Sequence, residues 1–209
     1  MAISFVSAAT QIQNSGTTIT ITKPAGVAAG DLMVAVLYIE SASQPNITPP
    51  FGWISKGDNA GESSVSKAEV FTKVAGPSEP ANYAFTSSLT IVQGSGAVAA
   101  YRAGGTITEG DSVFAALQNP GPIVASSVTT ARPDAKLLAG FMTIALGTGV
   151  AGMTARVARD NGARDVAIFD QDIASPGATG TRTYTGSGAG FGYSFAIEEV
   201  GGNRIRMMI

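Results

Sequence analysis

Asp170 and Asp172 are the acidic pair whose spacing most invites a chemical reading, with the adjacent Glu198 and Glu199 second. On a strand, residues i and i+2 share a face, so Asp170 and Asp172 would stand side by side. Two carboxylates so placed could act as acid and base in glycoside hydrolysis or lend oxygen ligands to Ca²⁺. The chain has no His and no Cys. That removes Ser-His-Asp and Cys-His arrangements, the usual proton shuttle and any Cys zinc site. No EF-hand spacing or repeated acidic loop accompanies the pair, and carboxylates at strand ends are ordinarily solvated. The expectation is no catalytic residue, no cofactor and no tight metal.

Two glycine-rich stretches, Gly94-Ser95-Gly96 and Gly186-Ser187-Gly188-Ala189-Gly190, superficially resemble phosphate-cradling loops. Neither carries the P-loop Lys or leads clearly into a helix, so turns between strands explain them better. Trp53, the only Trp, follows Pro49-Pro50-Phe51-Gly52. Its ring could be a platform for a sugar face, or it could close the end of a sandwich core, which is the commoner use.

These groups need a scaffold, and the composition says which kind. Charged residues are 13% of the chain and Gly is 26 of 209, a balance that suits short strands and tight turns and argues against general disorder. The net charge of −2 offers no basic field for nucleic acid, and no apolar run approaches the roughly 20 residues of a membrane helix. The start, Met1 to Ala9, lacks a basic n-region, so no signal peptide is expected.

The organising stretch is Gly30-Asp31 followed by Leu32-Met33-Val34-Ala35-Val36-Leu37-Tyr38-Ile39. Eight apolar residues with no polar face, between turn signals, predict a strand buried on both faces. Thr17 to Thr22 and Ala68 to Val74 alternate with period two, as does the shorter Tyr83 to Thr86. Ala97 to Tyr101 is a further strand, and Ile3 to Ala9 a strand or an arm. A Gly/Pro-rich connection then spans Arg102 to Pro122, with a short strand or one helical turn at Ser112 to Leu117.

The second half replays the first. Val124 to Thr130 parallels Thr17 to Thr22, and Leu137 to Leu146 parallels Leu32 to Ile39. Gly152-Met153-Thr154 sits where Gly52-Trp53-Ile54 sat. Asp165 to Ile173, Thr181 to Thr185 and Gly190 to Ile197 complete the series. We read a weak internal repeat, 17–103 against 124–198. The expected fold is all-β: a jelly-roll-like antiparallel β-sandwich over 1–200, its two pseudo-repeated halves sharing one core that holds Leu32, Val34, Val36, Leu138, Phe141 and Ile144.

The succession Lys23-Pro24-Ala25-Gly26-Val27-Ala28-Ala29-Gly30-Asp31-Leu32, Pro49-Pro50-Phe51-Gly52-Trp53 and Phe71-Thr72-Lys73-Val74-Ala75-Gly76-Pro77-Ser78-Glu79-Pro80 resembles a β-sandwich module of tailed-phage and prophage virion proteins, found also in some bacterial surface proteins. Asn82 to Thr86, Ala99 to Arg102, Arg132-Pro133-Asp134 and Gly177 to Arg182 extend the likeness over most of 17–198. The resemblance implies a non-enzymatic virion structural protein, made in the host cytoplasm. A head decoration or cement protein is the first expectation, with the major capsid protein or copies of itself as partners. The alternative is a tail-tip or fibre module that binds host carbohydrate, with Trp53 as platform. After Val200 the composition changes: Gly201-Gly202-Asn203 precede Arg204, Ile205, Arg206, Met207, Met208 and Ile209. Residues 201–209 are expected to form an arm that grips a neighbouring subunit, which would make the protein a homo-oligomer.

Overall fold

The computed structural model describes residues 3–60, 65–186 and 188–201. No helix occurs among them; the regular elements are strands. The first half contributes β1 (Ser4–Gln13), β2 (Thr18–Thr22), β3 (Leu32–Glu40), β4 (Ile47–Thr48), β5 (Ile54–Ala60), β6 (Ser66–Val74), β7 (Asn82–Ser87) and β8 (Gln93–Arg102). The second contributes β9 (Thr106–Phe114), β10 (Ile123–Ala125), β11 (Thr129–Thr130), β12 (Ala135–Thr143), β13 (Thr154–Arg159), β14 (Asp165–Ile173), β15 (Gly177–Ala178), β16 (Arg182–Tyr184) and β17 (Gly190–Val200). All the ladders between these strands are antiparallel.

The strands form two five-stranded sheets, β1-β8-β3-β6-β5 and β9-β17-β12-β14-β13. Taken in chain order within each sheet, both read first-fifth-second-fourth-third, so the two halves share one topology. A three-stranded sheet, β2-β7-β4, covers the outer face of the first; the two-stranded ribbons β10-β16 and β11-β15 cover that of the second. The two large sheets face each other across a central cluster drawn from both halves.

This layering explains the burial of β3. Its side chains alternate between two cores. Leu32, Val34, Val36 and Tyr38 enter the central cluster, while Met33, Ala35, Leu37 and Ile39 meet Ile19, Ile21, Tyr83 and Phe85 on the other side. Apolar clusters meet β3 on both faces along Leu32 to Ile39, hence the uninterrupted apolar run. β2 and β7 have one dry face only, and their burial alternates.

The structure corrects several expectations. Leu138 joins Leu32, Val34 and Val36 in the central cluster. Phe141 does not: it lies on the opposite face of β12, stacked on Tyr184 with ring centroids 4.8 Å apart. Ile144 lies just past the end of β12 and is only partly buried. The connection 102–122 hides the nine-residue β9, paired with β17. β6, whose alternation suggested a half-buried strand, is buried over most of its length because it too lies inside a covered sheet.

Polar ties join the halves at both edges of the stack. Lys56 of β5 forms an ion pair with Glu109 of β9, and the Asn59 side-chain amide donates to the Ala115 carbonyl at 3.2 Å. At the opposite edge, the Arg156 guanidinium of β13 lies over the Phe5 ring of β1, 4.9 Å from its centroid. Between the edges, Ser95 donates to the Arg164 carbonyl, and Arg164 pairs with Glu40 at 2.8 Å.

Candidate functional site

The acidic residues that stood out in the sequence are fastened into the scaffold. Asp170 is 1% exposed. It accepts from Arg156 Nε at 2.8 Å and stands 3.9 Å from Lys136 Nζ, while Lys136 donates to Asp172 at 2.5 Å. The expected solvated pair is therefore one buried carboxylate and one exposed one, bridged by a buried ammonium. Burial and then the charge of Asp170 push the Tyr101 hydroxyl of the facing sheet well above its ordinary pKa, so it stays protonated. Glu198 accepts from the Ala131 N–H at 2.5 Å, and Arg132 Nε lies 3.8 Å from it.

Two residues of the family-like motifs have equally structural uses. Asp31, 2% exposed, receives Arg102 through Nε and Nη2, each at 2.7 Å, and the Ala28 N–H at 2.8 Å. The bidentate pair locks the start of β3 to the end of β8. In the second half the charges are exchanged: arginine (Arg132) precedes β12 and the carboxylate (Glu198) lies near the end of β17. Glu79 accepts from the Gly76 N–H at 2.7 Å, from Tyr83 Oη at 2.9 Å and from Lys73 Nζ at 2.8 Å. Burial works against its ionisation, but these donors outweigh it and hold the pKa below the ordinary value.

Glu69, which the sequence gave no reason to single out, is a carboxylate whose titration moves strongly upward. Burial raises its pKa from 4.5 to about 7, against a hydrogen bond from Ser55 and the charge of Lys67 and with the charge of Asp58. The folded protein thus holds a proton at Glu69 that the unfolded chain releases between pH 4.5 and about 7. Stability contributed by this group is complete below that window and is lost as pH rises through it. After discounting for residual solvent access, Glu69→Gln is expected to stabilise the protein by roughly 1–3 kcal/mol at pH 8 and by almost nothing at pH 4. Urea denaturation at the two pH values measures it; an equal effect at both would refute the assignment.

The first glycine-rich stretch is a packing device, while the second leads from β16 into β17 and meets that strand at Gly190. Gly94, Ser95 and Gly96 lie within β8 and not in a turn. A Cβ on Gly96 would meet Ile21 Cδ1 at 2.8 Å, and one on Gly94 would meet Ile39 Cγ2 at 2.9 Å. Gly190 and Gly192 occupy matching places in β17, opposite Thr143 and Phe141 of β12 as Gly94 and Gly96 are opposite Ile39 and Leu37 of β3.

Trp53 is 6% exposed and packs edge-on against Tyr83 and Phe85 at 5.1 and 5.3 Å. It closes the core of the first half and offers no platform. The presented ring is Phe51, which is 99% exposed. Both follow from one turn. The Trp53 N–H bonds the Pro50 carbonyl at 3.2 Å, and Gly52 has φ 84°, the signature of a type II turn with Gly at its third position. The second half repeats it at Val150-Ala151-Gly152-Met153, with the Met153 N–H to the Val150 carbonyl at 3.2 Å and Gly152 at φ 75°. Ala151 shows that the turn does not require an aromatic residue where Phe51 stands. Aligning the two turns in the sequence would have marked Phe51.

Beside Phe51 is a cavity of about 380 Å³ lined by Pro50, Gly52, Lys73, Val74, Glu79, Pro80 and Tyr83, among others. The Lys73 ammonium, part of that lining, stands 5.6 Å from the Tyr83 ring centroid. No group of three or more His, Cys, Asp or Glu residues converges as a metal site among the described residues. Arg204, Ile205, Arg206, Met207, Met208 and Ile209, the expected partner-binding arm, lie outside the described residues. Comparison of the chain with family models, curated proteins and solved structures gives no match.

Proposed function

We propose that the protein is a non-enzymatic structural component of a tailed-phage particle, a head decoration or cement protein that binds the capsid surface. The observation that carries the non-enzymatic part is the use made of the conspicuous carboxylates: Asp31, Glu79, Asp170 and Glu198 each accept hydrogen bonds or ion pairs that fasten turns and strands. The virion part rests on the motif likeness of residues 17–198. Two stacked sandwiches with apolar layers on both faces of each large sheet suit a small, rigid shell component. The exposed ring of Phe51 favours a second reading, a tail-tip or fibre module that touches host carbohydrate.

Quantitative mass spectrometry of purified particles tests the first reading. Decoration predicts a copy number of the order of the capsid lattice. Absence from the particle, or a few copies that fractionate with tails, overturns it. The same particles test the arm: a protein lacking 201–209 should fold normally yet occupy the shell far less, and unchanged occupancy would eliminate the arm.

A further inference from the structure

We propose that the Phe51 cavity is a binding site for a neutral pyranose, with the Phe51 ring as the stacking surface and Lys73 and Glu79 as the polar partners. The turn that carries Phe51 is clamped from below. Lys73 Nζ lies 3.4 Å from the Phe51 carbonyl, and a Cβ on Gly52 would come within 3.2 Å of the Lys73 side chain. The turn backbone that presents the ring is thus held by a fixed support, which limits the backbone entropy lost on binding. Its exposure has no folding rationale, because the matching turn of the second half forms with Ala151.

The chemistry beside the ring is that of a sugar site. A gluco-configured pyranose carries axial C–H groups on its ring faces, either of which can pack on an aromatic ring, and an equatorial rim of hydroxyls, which needs donors and acceptors close to that ring. Lys73 and Glu79 supply both. Their side chains are 13% and 5% exposed and pair at 2.8 Å, so they are fixed in place. Of the three ammonium donors, one is used on Glu79 and one points to the Phe51 carbonyl. Of about four acceptor positions on Glu79, three are filled by Gly76, Tyr83 and Lys73. One donor and one acceptor remain, adjacent and of opposite charge. Because the two charges compensate, the pair offers a charged sugar no net attraction to offset the loss of its hydration, and a neutral hydroxylated ring is the ligand that fits. The cavity, about 380 Å³, lies at the small end of ligand sites, which suits one or two sugar rings.

The test is saturation-transfer NMR on the full chain with two neutral probes, methyl β-D-glucopyranoside and N,N′,N″-triacetylchitotriose. At about 10 mM sugar, ten times a 1 mM Kd, transfer is expected and should be strongest at the axial hydrogens of one ring face. Phe51→Ala should weaken binding at least about 10-fold, and Phe51→Trp should restore or strengthen it. Thermal melts should be unchanged in both variants, since the side chain is exposed. Absence of transfer overturns the proposal, as does transfer that Phe51→Ala leaves intact. So does a Phe51→Ala protein that loses particle binding while no sugar binds, because the ring is then a contact for another protein. Sugar binding is read on the isolated protein and particle occupancy on virions, so the two proposals fail independently.

Discussion

Replacement of Gly192 by Ala is expected to abolish folding or to cost well over about 3 kcal/mol, beyond the usual range for overpacking. A Cβ at this position would lie 2.4 Å from the Val124 carbonyl oxygen and 2.6 Å from the Ala125 nitrogen. Those atoms are backbone of β10, which passes directly over β17 and is tied to β16 by its ladder. Relief would require the covering ribbon to lift, exposing Ile123 and Tyr184 on its own inner face and Phe141 of β12 beneath it. Gly96→Ala, at the matching place in β8, is the internal control. Its Cβ would meet Ile21 Cδ1 at 2.8 Å, the far end of a side chain that can rotate, so the cost should be about 1–3 kcal/mol. Urea midpoints of the two variants decide the matter. If Gly192→Ala loses no more than Gly96→Ala, the close approach of β10 does not restrict the fold.

Leu32→Ala should destabilise the whole chain by roughly 2–5 kcal/mol in a single transition. Leu32 is fully buried in the central cluster, which also contains Leu138, Val166 and Ile197 of the second half. Its loss leaves a cavity at the junction of the two large sheets. A shared core couples the halves, so fluorescence of Trp53, in the first half, and far-UV circular dichroism, which reports both, should move together with denaturant. Loss of the Trp53 signal at a lower denaturant concentration than the remaining β signal would show that each half stands alone and that the central cluster contributes little.

The element pattern was legible because its causes are local. Thr18 to Thr22 and Asn82 to Ser87 alternate since each covers a large sheet with one face and meets water with the other. Leu32 to Ile39 is apolar throughout since both of its faces are covered, and the sequence alone predicted a doubly buried strand there. The replay of strand order in the second half was likewise visible, because turn residues and apolar runs recur even where identities do not.

What lay beyond the sequence depends on partners distant along the chain. Gly94 and Gly96 suggested a turn, yet they are strand residues kept small by Ile19 and Ile21 of the covering strand β2 and by Ile39 beside them on β3. β9 was hidden in a Gly-rich connection because its ladder partner, β17, begins 76 residues after β9 ends, at Gly190 following Phe114. Phe141 and Leu138 belong to different cores, since only the stacking of the sheets says what each face of β12 meets. Asp170 and Asp172 share a strand face, but the arrival of Arg156 and Lys136 from neighbouring strands buries one carboxylate and leaves the other in water. For the two aromatic residues either side of Gly52, the sequence determined that a ring would be available near a turn. The tertiary structure decided which one, by drawing Trp53 under β7 and leaving Phe51 on the outside of a turn that Lys73 holds shut.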